Sequence, residues 1–284
     1  MLKDCVEEDF YEIKMVTCGR LKPNSIPGFF WATFIFSGLY TAVMSFGTGY
    51  SSYVTNPIWP IIVKISTALL VIQLIVAIVF TKEEISYRFQ KFQSILLTVI
   101  SLKFSLEGYV LFYQFCEDRQ APSYLTSITT LLVIGGIIYL VYSTIRGIKR
   151  VKRGEFRKGG KGLYNFAQSK GQISLPIIFG VTMIAGTIIR SLSDPSVLFG
   201  PLIQLYFFLF LFVVLQYAIA FAWPEFFLFT YCKFRFESFI IPMPKRPLED
   251  KYTAKRRKPQ KKQTVLVNSH NNHKKKQKQK KARG

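Results

Sequence analysis

Apolar residues gather in six long stretches, Phe29–Phe46, Ile58–Phe80, Ile95–Phe115, Tyr124–Ile145, Ile173–Leu192 and Val197–Trp223, with the polar residues gathered between them. Each stretch is long enough to cross roughly 30 Å of hydrocarbon as a helix. A helix pairs its own backbone donors and acceptors, which lipid cannot do. The short alternating strands of a membrane barrel are not visible. The pattern predicts an all-α polytopic membrane protein of six transmembrane helices. It divides into a segment 1–27, a transmembrane domain over 28–240 and a tail over 241–284.

The connecting segments add detail. Val6, Phe10, Ile13 and Val16 recur at helical spacing and predict a short amphipathic surface helix. Pro23 and Pro27 should end it before the first span. Tyr50, Tyr53 and Trp59 suit an interfacial aromatic belt. Pro224 should bend or end the sixth span, leaving Glu225–Phe239 as an interfacial segment carrying Lys233 and Arg235.

Charge fixes an orientation. The chain has 38 Lys and Arg against 16 Asp and Glu, a net +22. With a cytoplasmic N-terminus, only Arg119 and Arg190 fall at the outer face, and only Lys64 and Lys103 inside spans. Basic loops resist translocation, so both termini are expected in the cytoplasm. The third stretch carries Lys103 and Glu107, yet without it the basic loop 146–172 would switch sides. That loop holds nine Lys and Arg against Glu155 alone. The start of the chain is acidic and makes a poor signal peptide, so the N-terminus is expected to be retained. From Lys245 onward 16 basic residues face only Glu249 and Asp250. This tail has little to bury and is expected to be disordered.

Candidate chemistry is sparse. His270 and His273 are the only histidines and lie in the basic tail, where neighbouring charge disfavours a metal ion. No span contains an Asp, and no CxxC occurs. Gly154–Gly162 superficially resembles a phosphate loop, but Gly160 stands where the lysine should be. No cofactor and no metal site is expected, and neither is an enzyme. The intramembrane charges are the strongest candidates. Lys103 and Glu107 share a helical face, and Lys64 lies at a depth similar to Glu107 on the preceding antiparallel span. A polar cluster of Lys64, Lys103 and Glu107 is expected, extended by Gln73, Gln114, Gln204 or Gln216.

A second set, for anionic surfaces, comprises Arg146, Lys149, Arg150, Lys152, Arg153, Arg157, Lys158 and Lys161 in the loop. Lys255, Arg256, Arg257, Lys258, Lys261 and Lys262 add to it in the tail. The partners that follow are the bilayer and its anionic headgroups, with an acidic protein or nucleic acid at the tail. The leading functional expectation is a non-enzymatic transporter or transport-accessory subunit in a bacterial cytoplasmic membrane. With no ATP-binding motif, active transport would need a separate ATPase or an ion gradient. The alternative is a membrane-anchored interaction protein working through its polybasic loop and tail.

Overall fold

The computed structural model describes Leu2, residues 4–160, Gly162 and residues 200–244. The fifth apolar stretch, Ile173–Leu192, and the tail from 245 on lie outside the described residues. Residues 1–242 form one compact unit; of the second unit, 243–284, only 243 and 244 are described.

The described residues are helical, with no strand among them. A 3-10 turn (Glu7–Phe10) leads into α1 (Tyr11–Cys18). Then follow α2 (Ile26–Tyr50), α3 (Ile58–Thr81), the short α4 (Glu83–Arg88), α5 (Gln90–Asp118), α6 (Ser123–Lys152) and α7 (Gly200–Arg235). A second 3-10 turn spans Glu237–Phe239. Five of these helices are long and apolar enough to cross a membrane: α2, α3, α5, α6 and α7. They match five expected stretches but run several residues further at most ends. Hydropathy senses only the hydrocarbon-facing part of a helix, whereas the hydrogen-bond ladder continues into the polar interface. Pro27 sits in the first turn of α2, where a missing N–H costs nothing. At the end of α6, Gly154 takes φ +74. Its N–H bonds Val151 O and the Glu155 N–H bonds Arg150 O, a Schellman closure that occupies two orphan carbonyls.

The helices pack in the order α3, α2, α5, α7, α6, which makes α5 the central element. Half of the most apolar window of α5 is buried. Two glycines let α7 approach. A Cβ on Gly108 of α5 would lie 2.4 Å from the Phe212 ring, and one on Gly136 of α6 would lie 2.2 Å from the Gln216 amide. Close backbone approach at small residues is how membrane helices gain packing without a hydrophobic drive between them. Gln216 then accepts from Tyr109 OH at 2.8 Å and donates to Val133 O at 3.2 Å, tying α7 to both neighbours.

The bundle has two distinct ends. The basal end gathers the N-terminal segment, α4, the start of α5 and the last turns of α6 and α7. Phe10 and Ile13 are fully enclosed there, with Phe10 against Tyr231 and Phe236. The expected amphipathic helix therefore exists, as α1, but its apolar side closes the base of the bundle. At the distal end Glu117 accepts from the Thr55 and Asn56 N–H groups at 3.0 Å and from Trp59 Nε1 at 2.6 Å. Trp59 is consequently buried and serves as a clamp, where sequence reading put it in an aromatic belt.

Pro224 does not end α7, which continues to Arg235. A proline leaves the carbonyl four residues back without its helical donor. Here that carbonyl is Ala220 O, and the Ser143 hydroxyl of α6 donates to it at 2.6 Å. A neighbouring helix thus satisfies the freed group, as a membrane bundle requires. Ser143→Ala should orphan that oxygen and cost about 1–3 kcal/mol, read as a lower unfolding temperature in detergent. Adding Pro224→Ala should recover most of the loss, because the restored N–H pairs with Ala220 O. Equal melting of Ser143→Ala and the parent would mean that Ser143 does not hold the proline-crossed helix.

Candidate functional site: a buried ion pair between α2, α3 and α5

Thr33, Ser37 and Thr41 recur every fourth residue of α2, so they form a hydroxyl stripe along one face. The stripe faces α5, whose Lys103 and Glu107 are also four apart. Lys103 Nζ lies 3.0 Å from Glu107 Oε1 and 3.1 Å from Oε2. The ammonium also donates to Ser37 Oγ and Gln73 Oε1, both at 3.0 Å. Ser37 Oγ in turn donates to Glu107 Oε2 at 2.5 Å. Gln73 of α3 completes the set by donating from Nε2 to Thr33 Oγ1 at 2.9 Å. Three helices thereby meet at one charged pair near the middle of α5. The Glu107 side chain is only 6% exposed and the Lys103 side chain 21%.

Lys64 does not join this cluster. It is exposed on α3 and makes no ion pair among the described residues. Matching depth is not matching direction. Gln73, the α3 residue that does reach Lys103, is nine positions from Lys64, and at about 100° per residue that is half a turn. Of the other glutamines, Gln114 and Gln216 bond elsewhere, and Gln204 makes no contact with the pair. Ser37 and Thr33 are the participants that charge-seeking sequence reading missed; their spacing of four was the available signal.

The α2–α5 seam is unusual in another respect. The buried side-chain polar atoms without a partner, among the described residues, are Thr41 Oγ1, Gln93 Oε1 and Gln114 Oε1. Thr41 and Gln114 lie on the facing sides of α2 and α5, distal to the ion pair. Gln93 lies toward the basal end, where its amide donates to Pro23 O, just before α2.

A further buried cation stands at the basal end. Lys233 of α7 is 1% exposed. It donates to Gln90 Oε1 at 2.6 Å and lies 5.2 Å from the centroid of the Phe229 ring. Nearby, Arg20 pairs with the buried Glu225. Both pairs tie α7 to segments around α5 and α1.

The basic loop is better fastened than its composition implies. Arg150 pairs with Glu155 at 2.6 Å and Arg157 with Asp9 at 2.8 Å. Phe156 is buried, and its carbonyl accepts the Glu12 N–H at 3.0 Å. Arg146, Lys149, Lys152, Arg153 and Lys158 remain exposed. Lys161, Lys255, Arg256, Arg257, Lys258, Lys261 and Lys262 lie outside the described residues. No group of three His, Cys, Asp or Glu suited to a metal occurs among the described residues.

Architecture and site together define a helical protein with several apolar helices, compatible with a multi-pass membrane protein. Comparison with protein families, with curated proteins and with solved structures finds no match.

Asp9 makes the basal cap sensitive to acid. Burial pushes its carboxyl upward, but the Arg157 hydrogen bond, the Val6 N–H and the Arg157 charge outweigh this and hold it below its usual range. A lowered native value means that the stabilisation is complete above the ordinary Asp range near pH ~3.9. It is lost as the pH falls through the lower native value. Protection factors of the amides across residues 4–18, corrected for the pH dependence of intrinsic exchange, should therefore fall on acidification through that window. Asp9→Asn should show the lower protection already at pH 7, and unchanged protection in that variant would remove Asp9 from the basal cap's stability.

Proposed function

We propose that the chain is a six-span membrane protein acting as a non-enzymatic transporter or transport-accessory subunit. The observation that carries this reading is the Lys103–Glu107 pair, bonded to Ser37 and Gln73, in the apolar middle of the central helix. Charged side chains at membrane depth are costly and mark substrate, ion or proton pathways by default. The hydroxyl and amide oxygens without partners lie along the same seam, distal and basal to the pair, which supports a polar route there.

The sixth span rests on direction. Tyr206 OH donates to Tyr124 OH at 3.2 Å, so α6 and α7 both start at the distal end. Both also finish at the basal end, where Arg157 meets Asp9 and Arg235 bonds Leu2 O. Two parallel helices need a return between them, and the six-span reading assigns it to Ile173–Leu192. The excess of Lys and Arg at the basal end supports a cytoplasmic base, in a bacterial cytoplasmic membrane. Movement against a gradient would draw on an ion gradient or a separate ATPase.

The interaction-protein reading has one observation in its favour. A cavity of about 460 Å³ at the basal end is lined by Arg146, Lys149, Arg150 and Arg153, with Tyr142 and Glu155. Such basic clefts suit anionic headgroups, with an acidic protein or nucleic acid reserved for the tail.

Glu107→Gln leaves a half-buried ammonium without its carboxylate and should destabilise the protein by about 1–3 kcal/mol. Lys103→Met with Glu107→Leu should fold better than Glu107→Gln alone. In liposomes, the parent should give currents or uptake with some member of a panel of small solutes under an imposed ion gradient, and the folded double variant should give none. Transport by that double variant at the parental rate would make the pair structural. Absence of transport by the parent, together with loss of phenotype on removing 245–284, would favour the interaction reading.

A further inference from the structure

Distal to the ion pair, α2 and α5 separate around a cavity of about 260 Å³. Its apolar walls are Val43, Phe46, Tyr50 and Phe115. The Phe46 and Tyr50 rings stack at 4.7 Å between centroids and present an extended aromatic face. Gly47 forms part of the wall, and a Cβ there would lie 3.1 Å from Gln114 Nε2. Any larger residue would narrow the space beside Gln114.

Besides the Tyr50 hydroxyl, the polar lining is Gln114, Ser51 and Asp118, and Ser51 spends its proton on Asp118. Gln114 is 1% exposed. Its Nε2 is fully used, donating to Met44 O and Thr48 Oγ1 at 2.9 Å each. Its Oε1 has no partner among the described residues but is enclosed by protein, so Gln114 backs the cavity without opening an acceptor onto it. Asp118 stands at the same cavity. Its Oδ1 accepts from Ser51 Oγ at 2.5 Å, and Arg119 Nε lies 3.5 Å from Oδ2. A carboxylate offers about four lone-pair positions, so acceptor capacity remains. Glu117, the other nearby acid, is already engaged three times by the clamp on Trp59, Thr55 and Asn56.

A carboxylate with spare capacity beside stacked aromatic faces calls for one kind of occupant. It must donate hydrogen bonds, carry positive charge and have an apolar body. An anion would meet the Asp118 carboxylate, and a neutral hydrocarbon would leave its remaining acceptor positions unused. The volume lies below the ~300 Å³ at which drug-sized pockets begin, so the occupant is small. Cation–π attraction to the aromatic faces adds to the charge term. We propose that this cavity binds a small organic ammonium ion through Asp118 and the Phe46–Tyr50 face. The group has two natural sources, a soluble amine and the ethanolamine headgroup of a neighbouring lipid. Binding here does not depend on transport, so it stands or falls separately from the Glu107 reading.

The test uses the full chain in maltoside micelles at neutral pH, with phenethylamine as the probe. Phenylpropionate and phenylethanol serve as an anion and a neutral molecule of similar size. Calorimetry or saturation-transfer NMR should give phenethylammonium an affinity at least about tenfold tighter than either. Asp118→Asn and Phe46→Ala, each checked for parental melting, should weaken it by about tenfold and several-fold. Phe46 is largely exposed, so its truncation keeps the test open where Asp118→Asn fails to fold. Adding phosphatidylethanolamine to the micelles should raise the apparent dissociation constant if the headgroup is the occupant, and leave it unchanged if a soluble amine is. No binding of phenethylammonium at millimolar concentration, binding no tighter than phenylethanol, or parental affinity in the folded variants would overturn the proposal.

Discussion

A carboxylate inside an apolar bundle is tolerated only when charge and hydrogen bonds surround it, and Glu107 sets that condition for this protein. Its two oxygens are met by Lys103 on the next turn and by Ser37 across the seam. Lys103 then needs Gln73, and Gln73 needs Thr33. Three helices are brought into register by the requirements of one acid. Because α5 supplies the pair, α5 occupies the centre, and α2 and α7 pack on its sides. Apolar packing alone would leave the rotation of α2 against α5 loosely determined, since lipid-exposed Leu and Phe are nearly as well placed against tails as against protein.

The same rule operates at each end of the bundle with different chemistry. Distally, Glu117 gathers two backbone N–H groups and an indole, which pins the α2–α3 connection to α5. Basally, Gln90 carries the load. Its oxygen accepts from Lys233 and from the Ile241 N–H, and its amide donates to Tyr87 O and Ile241 O. Within α7 the orphan is a carbonyl made by Pro224, answered by Ser143. In each case a polar group that water would normally serve is served by a residue from another helix. Such bonds are individually modest, yet leaving one unmade costs more than making it gains.

Much of the architecture was legible because hydropathy is a one-dimensional signal and spanning helices are one-dimensional objects. Five of the six apolar stretches appear as long helices, including the third, whose charges made it the least obvious. What was not legible depends on direction around an axis or on a partner distant in sequence. Lys64 has the right depth for the ion pair and the wrong azimuth. Pro224 reads as a breaker until Ser143, far back in the chain, is known to face Ala220. Trp59 reads as a belt residue until Glu117 is found beside it. The N-terminal helix is visible from Phe10 and Ile13, but its choice of protein over lipid depends on Tyr231 and Phe236. For the site, Lys103 and Glu107 are evident as charges at helical spacing. Ser37 shows itself only through its spacing of four from Thr33 and Thr41, because a serine in an apolar run is more often bonded to its own helix, as Thr33 and Thr67 are in part here.

The distribution of unsatisfied groups sets the α2–α5 seam apart from the glycine contacts of α7. If the ion pair existed only to lock α2 on α5, the rest of that seam would be best filled with small apolar residues, as Gly108 and Gly136 do against α7. Instead Thr41 and Gln114 stand on it with oxygens unpaired, in an environment where unpaired oxygens are expensive. Neither contributes to holding α2 through those atoms, since Gln114 already grips α2 through its nitrogen. Both are enclosed polar groups that cost stability without serving the packing through those atoms. Thr41 lies on the distal side of Glu107 and Gln114 backs the Asp118 cavity, so the polar character of the seam reaches from the centre of the bundle to its distal end.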